Sequence, residues 1–348
     1  MGLTQQETGL ELASHTTFRV GGPARRLVVA TTETDLVAVV TELDAAGEPV
    51  LVLGGGSNVL IGDAGFDGTV VKVATRGIKP DVSACSGAVV TVAAGEDWEE
   101  LVDRTVAEEW SGLEALSGIP GSVGASPIQN IGAYGADVSQ TIANVSTLDR
   151  RSGRRATFAT ADCGFGYRTS VFKREPGRYL ILSVTFQLPL GSRSAPVRYT
   201  ELARTLGVSI GTRVPAADVR RAVLELRRGK GMVLDDADPD TWSAGSFFTN
   251  PLLSPAEADR LPADAPRFAQ PDGRVKTSAA WLIEQAGFGK GYGSGEATLS
   301  TKHTLALTNR GHAKAADLVA LARQLRSGVE SAFGVTLEPE PLLVNCRL

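Results

Sequence analysis

The chain has 348 residues, 43% hydrophobic and 21% charged, with 35 Lys and Arg against 39 Asp and Glu. That length suits two domains of roughly 150 residues each, and the composition excludes a disordered chain, a coiled coil and a fibrous repeat. A net charge of −4 excludes a whole-surface basic footprint for nucleic acid, so an anionic ligand must be met by a local basic cluster.

Taken in chain order, Met1–Ser14 is polar and lacks the basic and apolar regions of a signal peptide. Apolar, β-branched runs predict strands at Leu27–Ala30, Val50–Leu53, Thr69–Val73, Val89–Ala93, Tyr179–Leu188, Thr304–Leu307 and Leu342–Val344. Between them, Leu36, Val39, Val40 and Leu43 have helical spacing, as do Trp98, Leu101, Val102 and Thr105 behind an Asp97 cap. Val219, Ala222, Val223 and Leu226 form a third stripe, and Leu318, Val319, Ala322, Leu325 and Val329 a fourth. Several strands follow one another without a helix, which predicts an α+β fold rather than one doubly wound sheet. Leu190–Pro196 reads as a linker, proline-rich Pro251–Arg274 as a long irregular excursion, and acidic Asp235–Asp240 as a solvated turn. Cys85, Cys163 and Cys346 are too scattered for a disulfide framework or a paired-cysteine metal site. No apolar run reaches the length of about 20 residues that spans a bilayer. These features predict a soluble, cytoplasmic protein with no membrane insertion.

The motif search removes several chemistries. There is no GxGxxG, no Walker-type phosphate loop, no GxSxG and no HExxH. Three histidines are a poor supply for a zinc hydrolase or a Ser-His-Asp enzyme, and no metal is expected. Glycine is abundant instead, at 39 residues, against a usual share of about 7%. Val50–Leu53 runs straight into Gly54, Gly55, Gly56, Ser57 and Asn58. Such a loop either folds into a nest of N–H groups for an anion such as a diphosphate or is a plain glycine turn. A longer loop, Ser117–Gly135, carries repeated glycines and small residues that leave room for a bulky flat ligand.

Four segments, LGGGSNVL, SGIPGSVGASPIQNIGAYG, CGFGYRTSVFK and AGSFFTNP, occur in order. Together they resemble the UDP-N-acetylenolpyruvoylglucosamine reductases (UDP-N-acetylmuramate dehydrogenases) of peptidoglycan synthesis, in their long-loop subclass. The resemblance runs from about Thr17 to Pro341. It implies a two-subdomain FAD-binding fold of the vanillyl-alcohol-oxidase type at 15–190, divided near 75. It further implies a linker with a mobile tyrosine loop at 191–214, a substrate domain at 215–334 and a C-terminal strand at 335–348 returning to the active site. The implied reaction reduces the enolpyruvyl group of a UDP-sugar to UDP-N-acetylmuramate, hydride passing from NADPH through non-covalent FAD.

The resemblance also implies residue roles. Arg168 is the catalytic arginine, Ser246 the proton donor and Glu340 the catalytic glutamate, with Glu338 on the other side of an extended strand. FAD is met by Gly54, Gly55, Gly56, Ser57 and Asn58, by Gly118, Ile119, Gly121 and Ser122, and by Gly124, Ala125, Gln129, Asn130, Gly132 and Tyr134. Arg227 and Lys230 hold the substrate diphosphate with Asn250, and Tyr199 is the mobile-loop tyrosine. A monomer is implied as well. Two other classes stay open on the residues alone. An FAD-dependent oxidase of the same fold, acting on an alcohol or hydroxy acid, explains the loops but not AGSFFTNP and LEPE together. A non-catalytic nucleotide-binding protein leaves Arg168, Ser246 and Glu340 without a role.

Overall fold

Helices begin where the sequence supplies a cap and a buried stripe. Thr32 accepts a hydrogen bond from the Asp35 amide at the head of helix Glu33–Ala45. Asp97 accepts from the amides of Glu99 and Glu100 at the head of Trp98–Ala107. Each carboxylate or hydroxyl satisfies amides that the first turn leaves without an intrahelical partner. The computed structural model describes residues 5–348; Met1–Thr4, at the start of the polar N-terminal stretch, lie outside the described residues.

The chain divides into two units. The first comprises 1–10, 24–56 and 66–228, the second 11–23, 57–65 and 229–348. This division differs from the boundaries at 190 and 215 expected above: helix Ala216–Gly229 lies in the first unit. Its stripe explains why. Val219, Ala222 and Val223 are buried with Val197, Leu202, Ala203 and Tyr134 in a cluster of the first unit.

The first unit holds two large sheets, in keeping with a two-subdomain α+β fold. In the four-stranded sheet, strands Ala24–Ala30 and Val50–Leu53 both pair in parallel with Phe66–Val73. The five-stranded sheet is antiparallel, in the order Arg154–Ala159, Ile142–Asp149, Tyr179–Leu188, Gly87–Ala93, Ile78–Ser83. The core between strands and helices is apolar and closed, with Leu36, Val90, Trp98, Leu101, Val184 and Phe186 all buried.

The second unit is built on helix Ala315–Phe333, whose Leu318, Ala322, Leu325 and Val329 are fully buried. Strand Leu342–Val344 pairs in parallel with Val59–Ile61, and Leu307–Asn309 pairs with Ala297–Leu299. The strand expected at Thr304–Leu307 is displaced to 307–309, because residues 300–306 form a hydrogen-bonded turn. The excursion at 251–274 is more ordered than its prolines suggest. Leu252–Leu253, Phe268–Ala269 and Val275–Lys276 form a small antiparallel sheet, in strands too short to show a periodicity. The acidic run is not merely a solvated turn either. Asp240 is buried and accepts from the amide and hydroxyl of Thr301 and from the Arg310 guanidinium, partners that make a buried carboxylate tolerable. No described helix is long and apolar enough to cross a membrane.

Asp63 accepts from the amides of Ala315 at 2.7 Å and Ala316 at 3.0 Å, at the positive end of the long helix. Asp63→Ala should therefore lower unfolding free energy by about 1 kcal/mol, read as a lower urea midpoint at unchanged slope. An unchanged midpoint would show that water replaces the carboxylate without loss.

Candidate active site

In the first unit, the two glycine loops meet main chain to main chain. A Cβ on Gly54 would lie 2.5 Å from Ser122 Oγ, and one on Gly55 would lie 2.6 Å from the Gly121 Cα. Gly56 turns with φ +68°, Gly118 with +72° and Gly121 with +126°, conformations that a Cβ disfavours. Lys72, in the neighbouring strand, donates its ammonium to the Gly54 carbonyl at 2.5 Å, and burial pulls its pKa below the usual lysine value.

The longer loop is tied down from below. Val123 and Gly124 donate to the carbonyls of Glu96 and Ala94 at 2.9 and 2.8 Å, and a Cβ on Gly124 would lie 2.6 Å from the Ala94 Cβ. The Trp98 amide donates to Gly121, and the Glu99 carboxylate accepts from the Gly118 amide. Burial raises the Glu99 pKa, which the Gly118 amide and Arg220 oppose. Ile119 packs against the core, while Ala125 and Gln129 are half-buried.

Asn130 takes φ +47° and uses its side chain within the chain: Nδ2 donates to the Gly166 carbonyl, Oδ1 accepts from the Ser139 amide. It thereby fixes the turn that presents Arg168. Arg168 is itself left-handed, at φ +51°, and its guanidinium donates to the Gly132 carbonyl at 2.9 Å. A non-glycine residue held there costs of order 1–3 kcal/mol, maintained by the surrounding bonds.

Tyr134, also left-handed, is buried edge-to-face against Tyr199, with ring centroids 5.6 Å apart. Burial raises its pKa to about 12, against the attraction of Arg227. Arg227 is buried in turn, and burial pulls its pKa down to about 10, with Arg168 adding to the fall and Tyr134 and Glu99 opposing it. The first unit thus gathers Arg168, Tyr134, Tyr199 and Arg227.

In the second unit, backbone pairing brings Glu340 beside Phe247, the residue after Ser246. Glu340 donates its amide to the Phe247 carbonyl at 2.8 Å, and Phe248 bridges Pro339. Asn58 donates its side-chain amide to the Glu340 carbonyl, and the Leu342 amide donates to the Asn58 carbonyl. Phe247 and Phe248 are fully buried behind them. Glu338 is different: it is exposed and its carboxylate pairs with Arg326. Asn250 accepts from the Ala279 amide at 3.0 Å, at the start of helix Ala279–Gln285. Lys230 follows directly on helix Ala216–Gly229, and Ser57 precedes Asn58 in this unit.

Three groups escaped the sequence reading. Lys72 sits in an apolar strand and reads there as a solvated strand position. Glu99 lies in a first helical turn, where acidic residues are commonplace. His303 lies 3.4 Å, by its Nε2, from Ser246 Oγ; no local pattern marks it.

Two family models match the chain: "FAD binding domain" over residues 24–157 and "UDP-N-acetylenolpyruvoylglucosamine reductase, C-terminal domain" over 238–344. The reductase of that name from Cutibacterium acnes is 59% identical over 97% of this chain and 90% of its own length. The one from Salinispora arenicola is 58% identical over 97% and 95%. The crystal structure of the Thermus caldophilus enzyme superposes with a TM-score of 0.66 at 25% identity, covering 98% of this chain and 99% of that one.

Gly55→Val should force the two loops apart at Gly121 and yield protein purified with substoichiometric flavin, measured from its visible absorbance. Full flavin content would remove the interlock from the cofactor site. Tyr134 gives a pH test. Its phenol keeps its proton to about 12, whereas the unfolded chain loses it near 10.0. The native state therefore binds the extra proton in that window, and stability falls as pH rises through it. Tyr134→Phe should remove the highest-pH step from the tyrosinate absorbance titration; an unaltered titration would refute the assignment.

Proposed function

Since this chain belongs to the UDP-N-acetylenolpyruvoylglucosamine reductase family, we propose that the residues gathered in each unit carry that family's reaction. The enzyme reduces the enolpyruvyl group of UDP-N-acetylenolpyruvoylglucosamine, giving UDP-N-acetylmuramate for peptidoglycan precursors. Bound FAD would supply the hydride chemistry that links NADPH to the vinyl carbon of the substrate. The loops fit that cofactor: they present main chain with no Cβ between them, and Lys72 places a cation beside Gly54, which suits a diphosphate.

Hydride addition develops negative charge at the carbon beside the substrate carboxylate. Arg168 pairs with that carboxylate and keeps its charge throughout; its left-handed backbone and its bond to Gly132 orient the guanidinium beforehand. Ser246 Oγ gives its proton to the carbon. Glu340 sets the charge around the carboxylate. Arg227 and Lys230, with Asn250, hold the diphosphate, and an anion there favours the charged form of buried Arg227. Tyr199 closes over the sugar nucleotide and excludes water. Tyr134, protonated across the working range, serves as a hydrogen-bond donor. We place the enzyme in the cytoplasm as a monomer.

The observation that supports this reading is the backbone pairing of Phe247–Thr249 with Glu338–Glu340, which holds Glu340 opposite the residue that follows Ser246. Its test is stopped-flow absorbance of the flavin in each half-reaction. Ser246→Ala should leave reduction by NADPH nearly intact and slow reoxidation by the UDP-sugar about 10²–10⁴-fold. Reoxidation at the wild-type rate would make the serine structural.

A further inference from the structure

A serine hydroxyl that protonates carbon leaves an alkoxide, a strongly basic product in a site that must turn over. The group facing Ser246 Oγ is His303 Nε2, at 3.4 Å. Both partners are half-buried, so the imidazole reaches the serine on one side while remaining open to water.

The turn that carries His303 is anchored at every step. Ser300 is buried, and its hydroxyl accepts from the amides of Lys302 at 3.0 Å and His303 at 3.3 Å. Thr301 is held by its amide and hydroxyl on the buried Asp240 carboxylate. Burial alone would raise the Asp240 pKa, but the bonds from Thr301 and Arg310 hold it below the usual range. Lys302 pairs with Asp238, and Thr304 donates to Glu284. Finally, the Phe247 amide donates to the Leu305 carbonyl at 2.8 Å, joining the histidine turn to the residue after Ser246. A contact so braced from both sides is an arrangement, not a chance approach of two surface groups.

We infer that His303 is the proton relay behind Ser246. This rests on the assignment of Ser246 as the proton donor. As the C–H bond forms on the substrate, the Ser246 O–H bond breaks. A proton on Nε2 then passes to the serine oxygen, the freed electron pair stays on the ring nitrogen, and the ring takes up from solvent the one proton that the overall reduction consumes. No further oxidant or reductant is needed, because the hydride comes from the established reduction. A separation of 3.4 Å is of the kind that shortens when substrate binds.

The test uses the holoenzyme reduced with NADPH and mixed with UDP-N-acetylenolpyruvoylglucosamine. His303→Ala should slow flavin reoxidation about 10²-fold, while NADPH-driven reduction stays within about twofold, since that half-reaction needs no substrate proton. Added imidazole should restore part of the rate. His303→Gln keeps a hydrogen-bonding side chain but cannot relay a proton, so it should remain slow; it carries the test alone where His303→Ala loses flavin. The double variant with Ser246→Ala should be no slower than Ser246→Ala itself, because both groups lie on one path. A wild-type rate in His303→Ala, or full recovery in His303→Gln, overturns the relay. A slow Ser246→Ala beside a normal His303→Ala sinks the relay alone; a normal Ser246→Ala sinks the serine assignment and the relay with it.

Discussion

Between Gly55 and Gly121 there is no room for a carbon atom: a Cβ on the first would come within 2.6 Å of the main chain of the second. That exclusion sets the geometry of the whole first unit around the site. Loop 54–56 can lie on loop 121–125 only because Gly54 and Gly55 carry no side chain there, and the second loop is in turn pinned to Ala94, Glu96 and the first turn of helix Trp98–Ala107. Gly132 and Asn130, further along the same loop, receive Arg168 and fix its turn. The glycines therefore act less as flexible joints than as the absence of material that lets two backbones touch.

The second unit reaches rigidity by another route. Its candidate site residues sit on turns and extended segments whose backbone bonds are shared among segments 57–61, 247–249, 305 and 338–342. Side-chain anchors do the remaining positioning, and one buried anchor is charged: Asp240 holds the turn of His303. A buried carboxylate with fewer partners would be costly; here it accepts from the Thr301 amide, the Thr301 hydroxyl and Arg310.

Much of this was legible in the residues because long apolar elements declare themselves. Val50–Leu53, Tyr179–Leu188 and Leu342–Val344 lie where their apolar runs predicted, and Asp97 caps its helix. Two of the strands that went unread have a diluted apolar signal. Arg154–Ala159 is an edge strand with exposed arginines, and Ile78–Ser83 is an edge strand containing Pro80, a residue an edge position tolerates. Helix Ala216–Gly229 was read correctly as a helix, but a stripe of valines and alanines does not say which core it enters. At the site, motifs gave the loops, the arginine and the serine, whereas Lys72, Glu99 and His303 owe their positions to contacts from distant segments, which no local pattern encodes.

The pairing of Val59–Ile61 with Leu342–Val344 has a consequence for biosynthesis. Asn58 and its partner Glu340 stand 282 residues apart in the chain, so the early segment leaves the ribosome long before its partner strand exists. The first unit has its full sequence once residue 228 is made, whereas strand Val59–Ile61 must wait for its partner Leu342–Val344, almost the last residues of the chain. Closing so long a loop is slow, and an unpaired strand edge invites the wrong neighbour. The order of translation, rather than the strength of any one contact, thus sets the interval during which a nascent chain of this kind is most in need of a chaperone.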